Sequence, residues 1–369
     1  MNKKLVYPDY KNCIANLPNS ILKAFGAEPV GDTLPLLDAY LERPYRNVVL
    51  LLLDGLGKAI AERHLAEDGP LRSHLAGIYS STFLSTTVAA TTSVLSGLQP
   101  CEHSWLGWDC YYPQIDKNVT VFLNVESGTD EPAADFPVAQ TFTPFASVPE
   151  RITRAGANGH ALAPFWDPNP QSFDELCSLI KARCSEEGRN YVYAYWPQPD
   201  GLLHRHGCGS AIVHEDLLDV ERAVSRLAEE LRDTLLVVTA DHGHIDTESV
   251  WIEDYPELWN CLVRRPSLEP RVCNFFVREG MEEVFAREFN SRFGDRFMLM
   301  PTERALEMRL FGTGRPHECF RSMLGNYIAI ATGDLSIFPY REQFFLSMHG
   351  SLTEDEMLIP LFVFEPKRA

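Results

Sequence analysis

The chain has 369 residues, longer than the ~150 residues of an ordinary single domain and sufficient for two. Hydrophobic residues make up 45% and charged residues 23% of the sequence, as in globular proteins, which excludes a disordered or low-complexity chain. Lysine and arginine number 33 against 51 acidic residues, and the resulting net charge of −18 disfavours nucleic acid polymers and anionic membranes as partners.

The sequence also carries no mark of a membrane-spanning or secreted protein. No apolar run reaches the ~18 residues that a membrane-spanning helix requires, and residues 1–8 contain two lysines without the hydrophobic stretch of a secretory signal. The nine cysteines are an odd number and include no C-x-x-C pair, a pattern typical of reduced thiols. We therefore expect a cytoplasmic protein with no membrane partner.

Four apolar runs without alternation predict buried strands of the parallel type, at 47–53, 191–196, 235–239 and 358–364. Between the second and third runs, apolar residues at steps of three and four over 217–231 predict a long amphipathic helix. Another helix is predicted to begin at Ser172, because Glu175 three residues later completes a capping box. Strands that alternate with such helices indicate an α/β fold with a mostly parallel central sheet flanked by helices.

The pattern changes between residues 245 and 345. A strand is predicted over 269–277, helices near 281–293 and 302–311, and a further strand over 327–332. We interpret 245–345 as an inserted, smaller α+β subdomain on the substrate side, and 1–244 with 346–369 as the catalytic core. The polar stretch 113–148 contains four prolines and is predicted to be a loop or a small excursion.

Acidic residues follow three of the predicted strands. Asp54 comes directly after the first strand, Asp200 shortly after the second, and Asp241 just after the third. Because ligands of open α/β sheets gather beyond the carboxyl ends of the strands, we expect these carboxylates to lie at one edge, where only a cation relieves their repulsion. Taken singly, each of these aspartates is also explained by a structural role, in a turn, a helix cap or a surface ion pair.

Imidazoles accompany these carboxylates at His204, His242 and His349. Oxygen and nitrogen donors without a thiolate suit zinc or manganese, and six donors suit two ions with open positions. Two divalent cations outweigh three aspartates in charge. The predicted pocket is therefore locally positive inside an acidic protein and suits a small phosphate-like substrate.

A threonine-rich segment over 83–103 offers a candidate nucleophile. A hydroxyl coordinated to a metal ion can attack as an alkoxide, and a helix that begins in this segment would turn free N–H groups toward an anion. A purely structural helix of small residues fits the same pattern. Spacing alone leaves five hydroxyls open, namely Ser85, Thr86, Thr87, Thr91 and Thr92.

Five motifs in order carry a resemblance to a known family: Leu53-Asp54-Gly55, Ser96-Gly97-Leu98-Gln99-Pro100 with His103, Pro199-Asp200 with His204, Asp241-His242-Gly243, and His349-Gly350. In these motifs the sequence resembles the alkaline phosphatase superfamily, and more closely its type I phosphodiesterase/nucleotide pyrophosphatase branch. The motifs span residues 53–350, nearly the whole chain. The resemblance implies an alkaline phosphatase-like fold and a metal-dependent hydrolase of phosphate esters.

The resemblance also implies roles for individual residues. One metal would be held by Asp200, His204 and His349, and a second by Asp54, Asp241 and His242 together with the nucleophile. Thr87 is implied as that nucleophile because it lies ten residues before Gly97, and it would form a phosphothreonine intermediate that water hydrolyses. The cofactors implied are two divalent ions, zinc first and manganese as the alternative.

Two positions depart from the family pattern. Ala90 stands where the nucleotide pyrophosphatases have an asparagine that stabilises the transition-state oxyanion, and Ser104 stands where a glycine is usual. The loss of one oxyanion donor costs ~3 kcal/mol unless another group replaces it, and Thr91 is a candidate replacement. Three alternatives to a phosphodiesterase therefore stay open: a phosphomonoesterase, a phosphonate or sulfate ester hydrolase, and a metal-binding scaffold without catalysis.

For other residues the sequence gives less support for a role at the site. Arg271 in the inserted block is predicted to reach a phosphate oxygen of the substrate. The aromatic residues that follow the threonine-rich segment are expected to be core more often than pocket, and they are Trp105, Trp108, Tyr111 and Tyr112. Supporting or structural roles are expected for the remaining histidines near the motifs, which are His103, His206 and His244.

Overall fold

A computed structural model describes residues 3–341 and 344–366. Its strands are β1 (Asn47–Leu53), β2 (Leu75–Ser80), β3 (Asp109–Tyr112), β4 (Lys117–Thr120), β5 (Val125–Glu126), β6 (Asn158–Leu162), β7 (Asn190–Trp196), β8 (Thr234–Thr239), β9 (Ile245–Asp246), β10 (Glu248–Trp251), β11 (Ser267–Glu269), β12 (Val272–Phe275), β13 (Phe297–Pro301), β14 (Tyr327–Ala331), β15 (Leu335–Phe338), β16 (Ser347–Met348) and β17 (Leu358–Phe364).

The helices alternate with these strands in the first two thirds of the chain. They are α1 (Leu17–Ala24), α2 (Pro35–Leu41), α3 (Lys58–His64), α4 (Thr87–Ser96), α5 (Pro100–His103), α6 (Val138–Phe142), α7 (Val148–Arg154), α8 (Phe173–Ser185), α9 (Asp200–His206), α10 (Ala211–Glu230), α11 (Pro256–Trp259), α12 (Glu282–Phe293), α13 (Thr302–Glu307) and α14 (Glu354–Met357). None of the helices in the described ranges is long and apolar enough to cross a membrane.

The first sheet has six strands in the order β2-β17-β8-β1-β7-β6. β1 runs parallel to β7 and β8, and in this register Leu53 lies opposite Trp196 and Leu52 opposite Thr239. The carboxyl ends of the three strands therefore lie side by side. All of β1 is buried, because helices cover both faces of the sheet, which is why the sequence shows a continuous apolar run.

The last predicted strand, β17, runs antiparallel to β2 and β8, so its predicted parallel direction was wrong. The preceding chain pairs β16 with β9, just beyond the carboxyl end of β8. The chain thus enters β17 from the carboxyl edge and has to run back across the sheet. A continuous apolar run indicates burial on both faces and carries no information about direction.

The two predicted helices that flank the sheet are present. α8 begins after Ser172, whose hydroxyl accepts the N–H of Glu175 at 3.2 Å. The Glu175 carboxylate accepts the N–H of Gln171 instead of that of Ser172, so the capping box is only half formed. α10 is longer than its apolar spacing indicated, because it begins after the N-cap Ser210.

The second sheet has seven antiparallel strands in the order β13-β14-β12-β11-β3-β4-β5. The single strand predicted over 269–277 is in fact a hairpin: β11 ends at Glu269, β12 begins at Val272, and these two residues pair across the turn. Pro270 explains the break, since proline has no N–H for the ladder and favours the first central position of a turn.

The second sheet joins two distant parts of the chain. β3, β4 and β5 come from residues 109–126, most of which were expected to be a loop, and β3 pairs with β11. The sheet is therefore not confined to residues 245–345. The division of the chain into a catalytic core (1–244 and 346–369) and an insert (245–345) stays a prediction. The strands β3, β4 and β5, from residues 109–126, nevertheless belong to the second sheet.

Candidate metal centre

Backbone hydrogen bonds hold the predicted acidic residues at one edge of the first sheet. Asp54 follows β1, and its N–H donates to the carbonyl of Trp196 at the end of β7 at 3.0 Å. Asp200 begins α9, and its N–H donates to the carbonyl of Asp54 at 2.9 Å. Asp241 follows β8, and its Oδ1 accepts the N–H of Gly55 at 3.1 Å. The three carboxylates thus converge as the sequence predicted.

One group of donors surrounds Asp200. Its Oδ1 lies 3.3 Å from Nε2 of His204 and 3.5 Å from Nε2 of His349. His244 also belongs to this group, because its Nε2 lies 2.7 Å from the same oxygen. The ligand atoms of these four residues all lie within 4.8 Å of one another, close enough to bind one metal ion.

A second group lies directly beside the first. Nε2 of His242 lies 3.2 Å from Oδ1 of Asp54 and 3.5 Å from Oδ2 of Asp241. Ligand atoms of Asp54, Asp200 and His242 all lie within 4.8 Å of one another. Since Asp200 is shared and the rings of His242 and His349 stack at 3.7 Å, the two groups are adjacent.

Backbone carbonyls fix the orientation of three imidazoles. Nδ1 of His204 lies 2.8 Å from the carbonyl of Ser347, and Nδ1 of His242 lies 3.1 Å from that of Gly243. Nδ1 of His349 lies 3.2 Å from a third carbonyl. A carbonyl only accepts, so in the neutral rings Nδ1 carries the proton and Nε2 turns its lone pair to the centre, as in metal-binding histidines.

The hydrogen bonding of the Asp241 carboxylate shows that this cluster of residues suits a bound cation. Its Oδ1 accepts two N–H groups, from Gly55 and His242, whereas its Oδ2 is buried and has no hydrogen-bond partner within the described residues. Burial, followed by the nearby charge of Asp54, raises the pKa of Asp241 well above its usual range. A buried carboxylate with an unpaired oxygen, facing another carboxylate and an imidazole lone pair, fits a divalent cation.

Thr87 is the first residue of α4, at the same edge of the sheet. Its Oγ1 lies 3.2 Å from Nε2 of His242 and 3.4 Å from Oδ2 of Asp54. Three of the competing hydroxyls donate elsewhere: Ser85 to the carbonyl of Ser351, Thr86 to Glu269, and Thr91 to the carbonyl of Thr87. Thr91 is therefore not positioned to replace the donor that Ala90 lacks.

The structure contradicts the predicted role of Arg271. Its side chain is fully buried, Nε and Nη2 donate to Glu356, and Nη1 donates to the carbonyl of Leu335. Because this side chain is fully buried and does not line the cavity over the donors, it is not available to a substrate phosphate. Nothing in the local sequence indicated this pair, because Glu356 is 85 residues away and lies just before β17.

The remaining predicted residues divide between core and site. Trp105 and Tyr112 are buried, as expected of core aromatics, whereas Trp108 is 39% exposed and lines the cavity described below. His103 is buried and bonded to Ser93, in agreement with a structural role. His206 is exposed at the end of α9. His244 was assigned a supporting role, and its short contact with Asp200 makes it a further candidate ligand.

A cavity of about 430 Å³ opens over the two groups of donors. Thr87, Asp200, His204 and His349 form its floor. Its opposite wall comes from the second sheet, from residues 337–340 and from Phe345. The first sheet thus contributes the candidate metal ligands, and the second sheet encloses the space beside them.

The layered α/β fold, with clustered aspartates and histidines at the carboxyl edge of the parallel strands, defines the alkaline phosphatase-like class of metal-dependent phosphoric ester hydrolases. A family model described as type I phosphodiesterase/nucleotide pyrophosphatase matches residues 48–279, well over half of the chain. The chain therefore belongs to the type I phosphodiesterase/nucleotide pyrophosphatase family.

Solved structures confirm the fold. Human ectonucleotide pyrophosphatase/phosphodiesterase 5 matches with a TM-score of 0.66 and 17% identity, over 86% of this chain and 88% of that chain. The murine protein matches with a TM-score of 0.60 and 18% identity, over 85% and 87%. An inactive threonine-to-alanine variant of the murine protein, in complex with AMP, gives a TM-score of 0.60 and 17% identity, over 86% and 88%. No curated protein matches the sequence.

Proposed function

We propose that this protein hydrolyses a phosphodiester or pyrophosphate bond of a small phosphorylated substrate, with Thr87 as the nucleophile. The observation that carries the proposal is the position of the Thr87 hydroxyl, within 3.5 Å of both Asp54 and His242 and at the start of α4. The unpaired N–H groups of a helix N-terminus are suited to the oxygens of a phosphoryl group.

The donor groups would hold two divalent ions, zinc in preference to manganese. Asp200, His204 and His349 would hold one, and a second group, Asp54, Asp241 and His242, would hold the other. When bound, such ions lower the pKa of a coordinated hydroxyl and neutralise charge on the phosphoryl oxygens.

The chain's own residues then carry the reaction in two displacements. Oγ1 of Thr87 forms a bond to phosphorus as the bond to the leaving oxygen breaks, which gives a phosphothreonine. Water attacks the same phosphorus from the vacated side, and the Oγ1–phosphorus bond breaks to restore Thr87. The hydroxyl of Tyr195 donates to Asp54 and keeps that carboxylate oriented beside Oγ1.

The murine relative supports this assignment in two respects. Its inactive form differs by replacement of a threonine with alanine, as expected if a threonine is essential, and its bound AMP is a small phosphorylated molecule. The identity of 17% is too low to assign AMP itself as a ligand of this chain.

The test compares wild type with Thr87→Ala after loading with zinc or manganese. We expect the variant to lose turnover of bis-nitrophenyl phosphate by about 1,000-fold or more, because within the described residues no other serine or threonine hydroxyl is bonded to both Asp54 and His242. Elemental analysis should find its metal content close to that of wild type. Thr92→Ala, on the same helix, is the matched control and should keep most of the turnover.

Other outcomes distinguish the alternatives. Faster turnover of nitrophenyl phosphate or nitrophenyl sulfate than of the diester would identify a monoesterase or a sulfatase instead. Equal activity of wild type and Thr87→Ala, with both fully loaded, would contradict a threonine nucleophile. Absence of turnover in loaded wild type would indicate a metal-binding scaffold, the reading that Ala90 favours.

A further inference from the structure

His244 contacts a carboxylate more closely than the other imidazoles of the candidate metal centre do. Its Nε2 lies 2.7 Å from Oδ1 of Asp200. Nε2 of His204 lies 3.3 Å from the same oxygen, and Nε2 of His349 lies 3.5 Å from it. Three rings therefore face one carboxylate oxygen, and one of them is much nearer to it than the other two.

These distances separate a hydrogen-bond donor from metal ligands. Ligand atoms that lie ~2.0–2.2 Å from a tetrahedral zinc ion are about 3.3–3.6 Å apart, and neighbouring ligands of an octahedral ion are about 3.0 Å apart. The contacts of His204 and His349 with Asp200 fall in the tetrahedral range. The contact of His244 is too short for two ligands of one ion and is typical of an N–H that donates to a carboxylate.

The second ring nitrogen of His244 also has a different kind of partner. Nδ1 of each of the three other imidazoles faces a backbone carbonyl, which only accepts a hydrogen bond. Nδ1 of His244 lies 3.1 Å from the hydroxyl of Ser347, which can donate. In the neutral ring, Nδ1 therefore accepts from Ser347, and the proton lies on Nε2, where it meets Asp200. This tautomer is the opposite of the one that turns a lone pair to the metal.

Ser347 holds two imidazoles from one position. Its carbonyl lies 2.8 Å from Nδ1 of His204, its hydroxyl contacts His244, and its side chain is fully buried. It belongs to β16, which pairs with β9, the strand that directly follows His244. Because β16 also directly precedes His349, this short ladder ties the position of His244 to those of the two histidine ligands.

The turn at Gly55 packs His244 against Asp200. The φ angle of Gly55 is +77°, and a Cβ at this position would lie 3.1 Å from Cδ2 of His244 and 3.0 Å from Cα of Asp200. The imidazole is only 2% exposed. Ring and carboxylate are thus held together by the turn that follows β1.

We propose that His244 is a positioning residue of the metal centre. Its Nε2–H orients the carboxylate of Asp200, and the hydroxyl of Ser347 holds the ring in the tautomer that this requires. Hydrogen bonds of this kind to a ligand contribute about 10- to 100-fold to metal affinity. The inference rests on the proposed function, and it assigns two residues that act on the metal through Asp200.

Two amide variants test the role because their N–H groups reach different positions. In His244→Gln the amide nitrogen takes the place of Nε2 and can donate to Asp200, whereas in His244→Asn it takes the place of Nδ1 and does not reach Asp200. Competition with a chelator measures zinc affinity independently of turnover. We expect His244→Asn to weaken the binding of zinc at the Asp200 group about 10- to 100-fold, and His244→Gln to stay within about threefold of wild type.

Cobalt in place of zinc reports the ligand set itself. The visible absorption of the cobalt-loaded protein should be the same in wild type and His244→Gln, because the ligands are unchanged. Ser347→Ala keeps the carbonyl that faces His204 and removes the hydroxyl that faces His244. It should weaken zinc binding about threefold, and it provides a second variant if His244→Asn fails to fold.

His103→Asn is the matched control for the loss of a buried imidazole. Nε2 of His103 also contacts a hydroxyl, that of Ser93, but the residue belongs to neither group of metal donors. Its stability should fall while its zinc affinity stays that of wild type.

Three other outcomes would overturn the inference. Equal losses of zinc affinity in His244→Gln and His244→Asn, with a changed cobalt spectrum, would identify His244 as a ligand. Unchanged zinc affinity in His244→Asn and Ser347→Ala would show that the ring only fills space. Both results would leave the proposed function standing. If wild type binds neither zinc nor manganese, the proposed function fails and this inference fails with it.

Discussion

The two sheets of this protein make different contributions to one site. The first sheet is mostly parallel, its central strands β1 and β8 are buried along their whole length, and its carboxyl edge supplies Asp54, Asp200 and Asp241. The second sheet is antiparallel, joins residues 109–126 to residues 267–331, and supplies Glu269 and Trp108 to the opposite wall. The candidate metal ligands thus come from the edge of one sheet, whereas much of the wall that faces them across the cavity comes from the other sheet.

The largest expected effect comes from the first sheet. Asp241→Asn removes the charge of the oxygen that has no partner, and we expect metal affinity and turnover to fall on the order of 100-fold or more. The metal-free variant should be more stable than metal-free wild type, because the amide no longer repels Asp54. Titration calorimetry measures the zinc affinity, and scanning calorimetry without zinc measures the stability of the metal-free proteins.

A control substitution in the second sheet tests whether the loss of metal affinity is specific to the edge of the first sheet. Its control is Asp109→Asn, which changes a buried acid of the second sheet and should leave metal affinity close to that of wild type. If Asp241→Asn bound zinc as tightly as wild type, the assignment of the metal centre to the edge of the first sheet would be wrong.

An intermediate effect is expected where the two sheets are joined. Arg271 lies in the turn between β11 and β12, and Glu356 lies in α14, just before β17 of the first sheet. Arg271→Met leaves a buried carboxylate unpaired, and we expect a loss of about 3–5 kcal/mol in the free energy of unfolding. Urea titration measures it.

A second substitution tests that this loss comes from the broken pair. In the double variant Arg271→Met/Glu356→Gln the charge is also removed, and part of the lost stability should return. The KM of folded Arg271→Met should match that of wild type. A tenfold rise in KM without loss of stability would restore Arg271 as a substrate-binding residue.

The smallest effect concerns Glu269 in the absence of substrate. Burial raises its pKa from 4.5 to about 7, so between these values the folded protein retains a proton that the unfolded chain releases. Protonated Glu269 therefore makes its full contribution to stability below the pKa of the unfolded chain, 4.5. This contribution is lost as the pH rises through the pKa of the folded protein, about 7. Relative to Glu269→Gln, the free energy of unfolding of wild type should fall by up to about 1.4 kcal/mol for each pH unit between these two pKa values.

Urea unfolding of both metal-free proteins at several pH values across this window measures the difference. Parallel pH profiles of wild type and Glu269→Gln would show that the Glu269 carboxylate is not desolvated as the structure indicates.

Much of the first sheet could be predicted because its signals are local. β1 and β17 have the predicted bounds, and Asp54 and Asp241 follow their strands directly in the sequence. The direction of β17 could not be predicted, since burial on both faces produces the same apolar run in either direction. The cytoplasmic location stays a prediction.

The second layer was less predictable because its pairings are distant. β3 meets β11 across about 160 residues, so the stretch around 113–148 looked like a loop, and Arg271 looked available to substrate although Glu356 sequesters it. Glu269, which lines the cavity, was not among the residues that the sequence indicated. Its neighbours in the sequence, Ser267 and Arg271, are polar as well, so no local signal indicated that contacts with Thr86 and Trp108 bury this carboxylate.

The sequence by itself determined the family, the three acidic strand ends and the histidines that accompany them, because each motif is contiguous and each apolar run is its own signal. The tertiary structure alone decided which hydroxyl of the threonine-rich segment faces Asp54, which arginine is buried, and which residues enclose the cavity. These features depend on contacts between residues far apart in the chain, and their geometry is fixed only when the two sheets pack.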